Sequence, residues 1–226
     1  MRRYLLAALL LSAAPAYAAD RSFPASGFDK VDLAAAGQVA IHTGDRFAVE
    51  ASGDPEWLDL LNIRVVQGTL VIGWTREHIN MKGHNPIHIR ISMPLISGAT
   101  ISGAGTIAVD HAEGPDFVGR IGGAGTIDLP ALHADRVHFE MGGAGKITAA
   151  GSAGSVDAHV RGFGSLEIAA LAARAGKFDM SGTGSIKARV DGPADVTMSG
   201  VGSVDVLGNA HCTIHKSGLG SVHCGG

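Results

Sequence analysis

From residue 97 to the C-terminus the chain alternates between apolar and polar positions in a pattern that renews itself every 18–20 residues. A Gly-x-Gly phrase marks the register, starting at Gly103, Gly123, Gly143, Gly162, Gly182, Gly200 and Gly218, with steps of 20, 20, 19, 20, 18 and 18 residues. Four positions before each mark stand Ala99, Gly119, Phe139, Ala158, Phe178, Val196 and Ile214. Two before stand Ile101, Ile121, Met141, Val160, Met180, Met198 and Lys216, and four after stand Ile107, Ile127, Ile147, Leu166, Ile186, Val204 and Val222. The intervening positions are mostly polar, as in the row Thr106, Thr126, Lys146, Ser165, Ser185, Ser203 and Ser221. A period of two predicts strands with one buried face. Each repeat therefore predicts two short strands joined at a glycine corner, where no Cβ obstructs the bend. A unit this short cannot bury its own apolar face, so neighbouring units must stack and do it for one another. The predicted fold is all-β, a parallel β-helix or solenoid of about seven to eight coils, each of 18–20 residues.

Residues 23–96 follow the pattern less cleanly and predict an irregular N-terminal cap. Val31, Leu33, Ala35, Gly37, Val39 and Ile41 fit the same alternation, so Ala36-Gly37 reads as a degenerate first coil. Pro55–Leu61 predicts a short helix with Asp54 as its N-cap and Pro55 at its first position. Gln67-Gly68, between two apolar runs, predicts a hairpin. Ile87–Ile91 predicts an alternating strand halted by Pro94, and Asn80–Asn85 predicts a loop.

The first 18 residues predict a secretory signal peptide rather than structure. Met1-Arg2-Arg3 is a basic start, Leu5–Leu11 a short apolar run, and Ala16-Tyr17-Ala18 a small-residue cleavage site. Residues 19–226 are then one exported domain, with 23–96 its cap and 97–226 its regular coils. No later run is long and apolar enough to predict a membrane-spanning helix. Composition narrows the partners: 17% charged residues and a formal net charge of −3 offer no basic tract for nucleic acid. The 33 glycines recur in register with apolar residues, which marks turns rather than disorder. Cys212 and Cys224 fall on two different inward columns of the last repeat, and in an exported chain they predict a disulfide that closes that end.

With these residues in place, the chain resembles the exported bacterial family of putative auto-transporter adhesin heads, or GIN domains. The likeness rests on Gly37-Gln38-Val39 with the Thr43-Gly44-Asp45 turn, on Gly68-Thr69-Leu70-Val71-Ile72, on Pro94-Leu95 and on the serial Ser-Gly-x-Gly phrases. It extends over about 25–225. The resemblance implies a right-handed β-helix and a periplasmic, surface or secreted location. It transfers no catalytic residue.

Gly-x-Gly followed by a helix N-terminus would suggest a phosphate site; here a strand pattern follows every time, and the glycines read as corners. Asp128, Glu140, Asp157, Glu167, Asp179 and Asp205 stand singly on different predicted columns, so no catalytic carboxylate pair emerges and no enzymatic activity is expected. Two histidine groups, His78, His84 and His88 and then His211, His215 and His223, read as surface histidines, and neither a metal nor another cofactor is expected. Trp57, Trp74 and Phe163 are the candidate ligand contacts, since aromatic faces stack on sugars. Phe163 stands at a corner position otherwise held by small or aliphatic residues, whereas the tryptophans are also suited to packing the cap. The expected role is adhesion or binding of a glycan or protein at the cell envelope. A β-helical enzyme acting on polysaccharide, or a structural envelope protein that self-associates through its ends, are the alternatives.

Overall fold

A computed structural model describes residues 19–75 and 86–225. The predicted signal peptide, the Asn80–Asn85 loop, His78 and His84 lie outside these residues. The chain opens with β1 (Ala19–Ser22), β2 (Lys30–Leu33), β3 (Ala36–Thr43), β4 (Ala48–Gly53) and the helical turn α1 (Pro55–Leu58). There follow β5 (Leu61–Val66), β6 (Thr69–Trp74), β7 (Ile87–Met93), β8 (Gly98–Ile101), β9 (Ala104–Val109) and β10 (Ala112–Ile121). The long bent strands β11 (Ala124–Met141), β12 (Ala144–Val160) and β13 (Phe163–Met180) come next. The chain ends with β14 (Thr183–Val190), β15 (Pro193–Met198), β16 (Val201–Leu207), β17 (His211–Lys216) and β18 (Leu219–Cys224).

These strands wind a parallel β-solenoid. Register between β11 and β12 shows the walls of a coil: Ala124–Leu129 on Ala144–Ala149, Leu132–Ala134 on Gly151–Ala153, and Arg136–Met141 on Ser155–Val160. The first wall begins just after each glycine mark, the second is short, and the third leads to the next mark. The predicted inward columns of the first and third walls are buried through the middle coils apart from the half-buried Gly176, and include Ile127, Ile147 and Leu166 on the first and Met141, Val160 and Met180 on the third. Phe117, Phe139 and Phe178 are the largest fully buried side chains of the core.

The glycine marks hold the coils in close contact. A Cβ on Gly143 would stand 1.9 Å from the carbonyl oxygen of Gly123 in the coil below. The second glycine of a phrase is equally constrained: Gly105 has φ +141, and a Cβ there would meet the Gly37 carbonyl oxygen at 1.9 Å. The same register aligns Ala36 with Ala104 and Gly37 with Gly105. The number of turns is about six rather than the seven to eight predicted.

The N-terminal end is finished by strands that reverse direction. β4 lies antiparallel to β7, β1 antiparallel to β4, and β5 antiparallel to β6. Gln67 and Gly68, with φ of 49 and 75, make the hairpin turn between β5 and β6. Asp54 caps α1 by accepting a hydrogen bond from the Glu56 backbone N–H at 3.1 Å. The opposite end is finished differently. β17 and β18 each pair with a coil on one side only, among the described residues. The Cys212–Cys224 disulfide ties the third wall to the first in this last coil. Ile214 and Lys216, on columns that are buried in every earlier coil, are exposed there.

Candidate functional site

The residue between the two glycines of each mark points outward, and these residues stack into a ridge. Strand register aligns Ala124, Ala144, Phe163, Thr183, Val201 and Leu219 one above another. The ridge is flat in the earlier coils, where the residue is alanine. It rises at Phe163, which is 68% exposed, and continues through Val201 at 50% and Leu219 at 75%. Its backbone is held firmly: the N–H groups of Phe163, Thr183, Val201 and Leu219 donate to the first-glycine carbonyls of the preceding coil at 2.9, 2.9, 3.0 and 3.0 Å. One row of hydroxyls, Ser165, Ser185, Ser203 and Ser221, runs alongside it in register. The ridge is thus a rigid, mostly apolar line interrupted by Thr183, stepped at ~4.8 Å per coil, beside a polar row. Such a line presents contact area with little entropy left to lose on binding.

The other two aromatic candidates lie elsewhere. Trp57 is 8% exposed and belongs to the core of the N-terminal cap. Trp74 packs against it edge-on, with ring centroids 6.0 Å apart, and is half-buried. Of the three, Phe163 is the one that stands clear of the core.

The second wall forms an open groove of about 520 Å³, lined by residues that include Glu113, His133, Asp135, Ser152, Arg174 and Asp191. His133 Nδ1 and Ser152 Oγ are 2.9 Å apart on its surface. Beside it, Arg136 donates two hydrogen bonds to Asp116, at 2.6 and 2.7 Å, and these hold the Asp116 carboxyl below the ordinary carboxylate range. Burial pushes Asp110 up, but hydrogen bonds from the Thr43 backbone N–H, the His42 ring and the His111 backbone outweigh it and leave that carboxyl lowered.

His88, His211, His215 and His223 are exposed on β7, β17 and β18. A histidine group that sequence reasoning passed over is on the outer face of the third wall. His138 of β11 sits directly across from Asp157 of β12, and Glu140 directly across from His159. Asp179 of β13 flanks His159 from the other side. Glu140 and Asp179 therefore share one column with His159 between them, where the sequence reading had the acidic residues standing apart. The signal was available in the repeat itself: His138 and Asp157 stand five positions before their glycine marks, and Glu140, His159 and Asp179 three before theirs.

A family model described as "Putative auto-transporter adhesin, head GIN domain" matches residues 27–210. Among solved structures, a putative adhesin from Bacteroides fragilis superposes with a TM-score of 0.83 at 19% identity, covering 92% of this chain and 97% of that one. A putative lipid binding protein from Parabacteroides distasonis superposes with a TM-score of 0.75 at 15% identity, over 92% and 97% of the two chains. A putative adhesin from Parabacteroides merdae gives 0.61 at 14% identity, over 92% and 96%. No curated protein matches the chain. At such identities the likeness to solved structures is one of fold.

Proposed function

Since the chain belongs to the putative auto-transporter adhesin head GIN-domain family, we propose that it is a non-catalytic binding module of the cell envelope that holds a glycan or protein along the Phe163–Leu219 ridge. The observation that carries this reading is the exposure of Phe163, Val201 and Leu219 in one rigid column. Large apolar side chains clustered on an exposed face mark interaction surfaces; here Thr183 stands in the row between Phe163 and Val201. The adjoining serine hydroxyls supply donors and acceptors, so the strip pairs apolar and polar edges as a sugar ring or an extended peptide does. The names of the Bacteroides and Parabacteroides adhesins point the same way. Export through the general secretory route, with cleavage before Ala19, places the module in the periplasm, at the surface or outside the cell.

Binding of the purified chain to a broad array of bacterial and host glycans and matrix proteins tests the proposal. A saturable ligand is expected, weakened at least about tenfold by Phe163→Ala, as central aromatic anchors are, and unaffected by Trp74→Ala in a variant that remains folded. Silence across the array, or a ligand indifferent to both Phe163→Ala and Leu219→Ala, would count against the ridge.

A further inference from the structure

We propose that His138, Asp157 and His159 form a binding site for one divalent first-row transition-metal ion, Zn²⁺ above all, on the outer face of the third wall. The inference is independent of the ridge and of whatever the ridge holds. Each of the three residues can offer one ligand atom, and these atoms lie within 4.8 Å of one another, the one such group of three among the described residues. Zinc sits ~2.0–2.1 Å from histidine nitrogen and carboxylate oxygen, which puts tetrahedral ligand atoms ~3.3 Å apart. From the 4.8 Å outer bound, the ligand atoms need to close by at most ~1.5 Å to reach this spacing.

The scaffold favours that closure. The β11–β12 ladder runs without interruption from Arg136 on Ser155 to Met141 on Val160. Beneath the three ligands, the inward neighbours Val137, Phe139, Val156, Ala158 and Val160 are buried, which pins the backbone that carries them. The His138 and His159 rings are already neighbours, with centroids 5.6 Å apart and planes tilted by 52°. His159 is the most enclosed of the three side chains, 19% exposed.

The Asp157 carboxylate is what makes this more than a pair of neighbouring histidines. Its Oδ2 lies 3.8 Å from His138 Nδ1, and its Oδ1 lies 3.1 Å from His159 Nε2. The second contact has the length of an ion pair but not the alignment of a hydrogen bond, and Oδ1 is buried without accepting one from the described residues. A buried carboxylate oxygen left this way is costly, and a cation shared with the two imidazoles would satisfy it. The charges around the site are mixed, with two carboxylates and three basic side chains on neighbouring positions. Glu140 and Asp179 flank His159. Arg120 and Arg161 are engaged by Glu140 at 3.4 and 3.0 Å, while Lys177 is next to Asp157 in register.

The donor set selects the ion. Two imidazoles and one carboxylate suit zinc and its neighbours, whereas calcium and magnesium prefer oxygen ligands alone. Three protein ligands leave a fourth position open, so the site is of the exchangeable kind rather than a closed structural one.

Zinc titration of the purified untagged chain, followed by calorimetry, tests the site. One equivalent of Zn²⁺ is expected to bind, with Ca²⁺ giving no heat at the same concentrations. His138→Gln and His159→Gln should each weaken zinc binding at least about tenfold, comparable to losing an outer-shell partner or more. Asp157→Asn should do the same, and His215→Gln should have no effect. Co²⁺ substitution should give a visible absorption band that His138→Gln and His159→Gln abolish. Circular dichroism of the variants confirms that the solenoid persists. The proposal is overturned if no saturable zinc binding occurs, or if it survives both His138→Gln and His159→Gln, or if His215→Gln removes it.

Discussion

The two ends of the solenoid solve one problem by opposite means. A stack of parallel coils has an unpaired edge and an open core at each end, and both must be managed. At the N-terminal end β1, β4 and β5 reverse direction over the outermost coils, and Trp57 and Leu58 of α1 plug the core. At the C-terminal end there is no such plug among the described residues. Cys212 and Cys224 are joined across the coil, and Ile214 and Lys216 face solvent where phenylalanine, valine and methionine fill the earlier coils. One end is closed by side chains that extend the main core and the other by a covalent tie. The difference teaches that cap sequences need not resemble repeats: any arrangement that covers or constrains the last edge will serve.

The largest effect is expected between the ends, on the stack they both close. Gly143→Val would drive a side chain into the Gly123 carbonyl at 1.9 Å, against peptide backbone that cannot yield, and should cost more than ~3 kcal/mol, the upper range for overpacking. Ala144→Val, on the exposed ridge, should change stability by less than ~0.5 kcal/mol. Chemical unfolding of both variants checks the contrast, and equal losses would show that the corner glycines do not limit coil spacing. At the N-terminal end, Trp57→Ala should remove ~3–5 kcal/mol by opening the plug, read as a lower thermal midpoint for the whole domain.

Breaking the C-terminal tie should matter less and more locally. A disulfide closing a loop of this size contributes ~3 kcal/mol on the chain-entropy estimate. Hydrogen exchange of Cys212→Ser/Cys224→Ser should show β17 and β18 unprotected while β11–β13 remain protected; uniform loss of protection would mean that the two ends unfold as one unit. The smallest effect belongs to the exposed Asp116–Arg136 pair. Because Arg136 holds the folded Asp116 carboxyl below its unfolded value, the pair's contribution is present above the unfolded pKa. It is lost as pH falls through the lowered folded one. Asp116→Asn should therefore lower the thermal midpoint slightly at neutral pH and not at all in strong acid. A difference that persisted in strong acid would show that Asp116 acts through packing rather than charge.

Much of this molecule is legible in one dimension because a solenoid is nearly one-dimensional. Its contacts join residue i to its counterpart one repeat on, so Ile127, Ile147 and Leu166 declare their shared burial by their spacing alone. The same arithmetic placed Cys212 opposite Cys224 and Ala36-Gly37 on a degenerate coil. Phe163 was visible as a departure from its column. The cap was legible only in pieces: the hairpin turn at Gln67-Gly68 and the Asp54 cap are local, whereas the insertion of the β2–β3 coil between β6–β7 and β8–β9 is not. The third-wall histidines are not grouped by nearness in sequence, as His211, His215 and His223 are. His138 and Asp157 are a repeat apart and touch only across a ladder.

The sequence by itself determined the alternation, the period, the corners and hence the stack, since each follows from hydrophobic periodicity and from glycine's missing Cβ. The folded structure decided which of the aligned outward side chains actually meet, including the diagonal approach of His138 to His159. That choice depends on the register and the close spacing of adjacent coils, and it converts two histidines and an aspartate from successive repeats into one cluster, and three scattered apolar residues into one ridge.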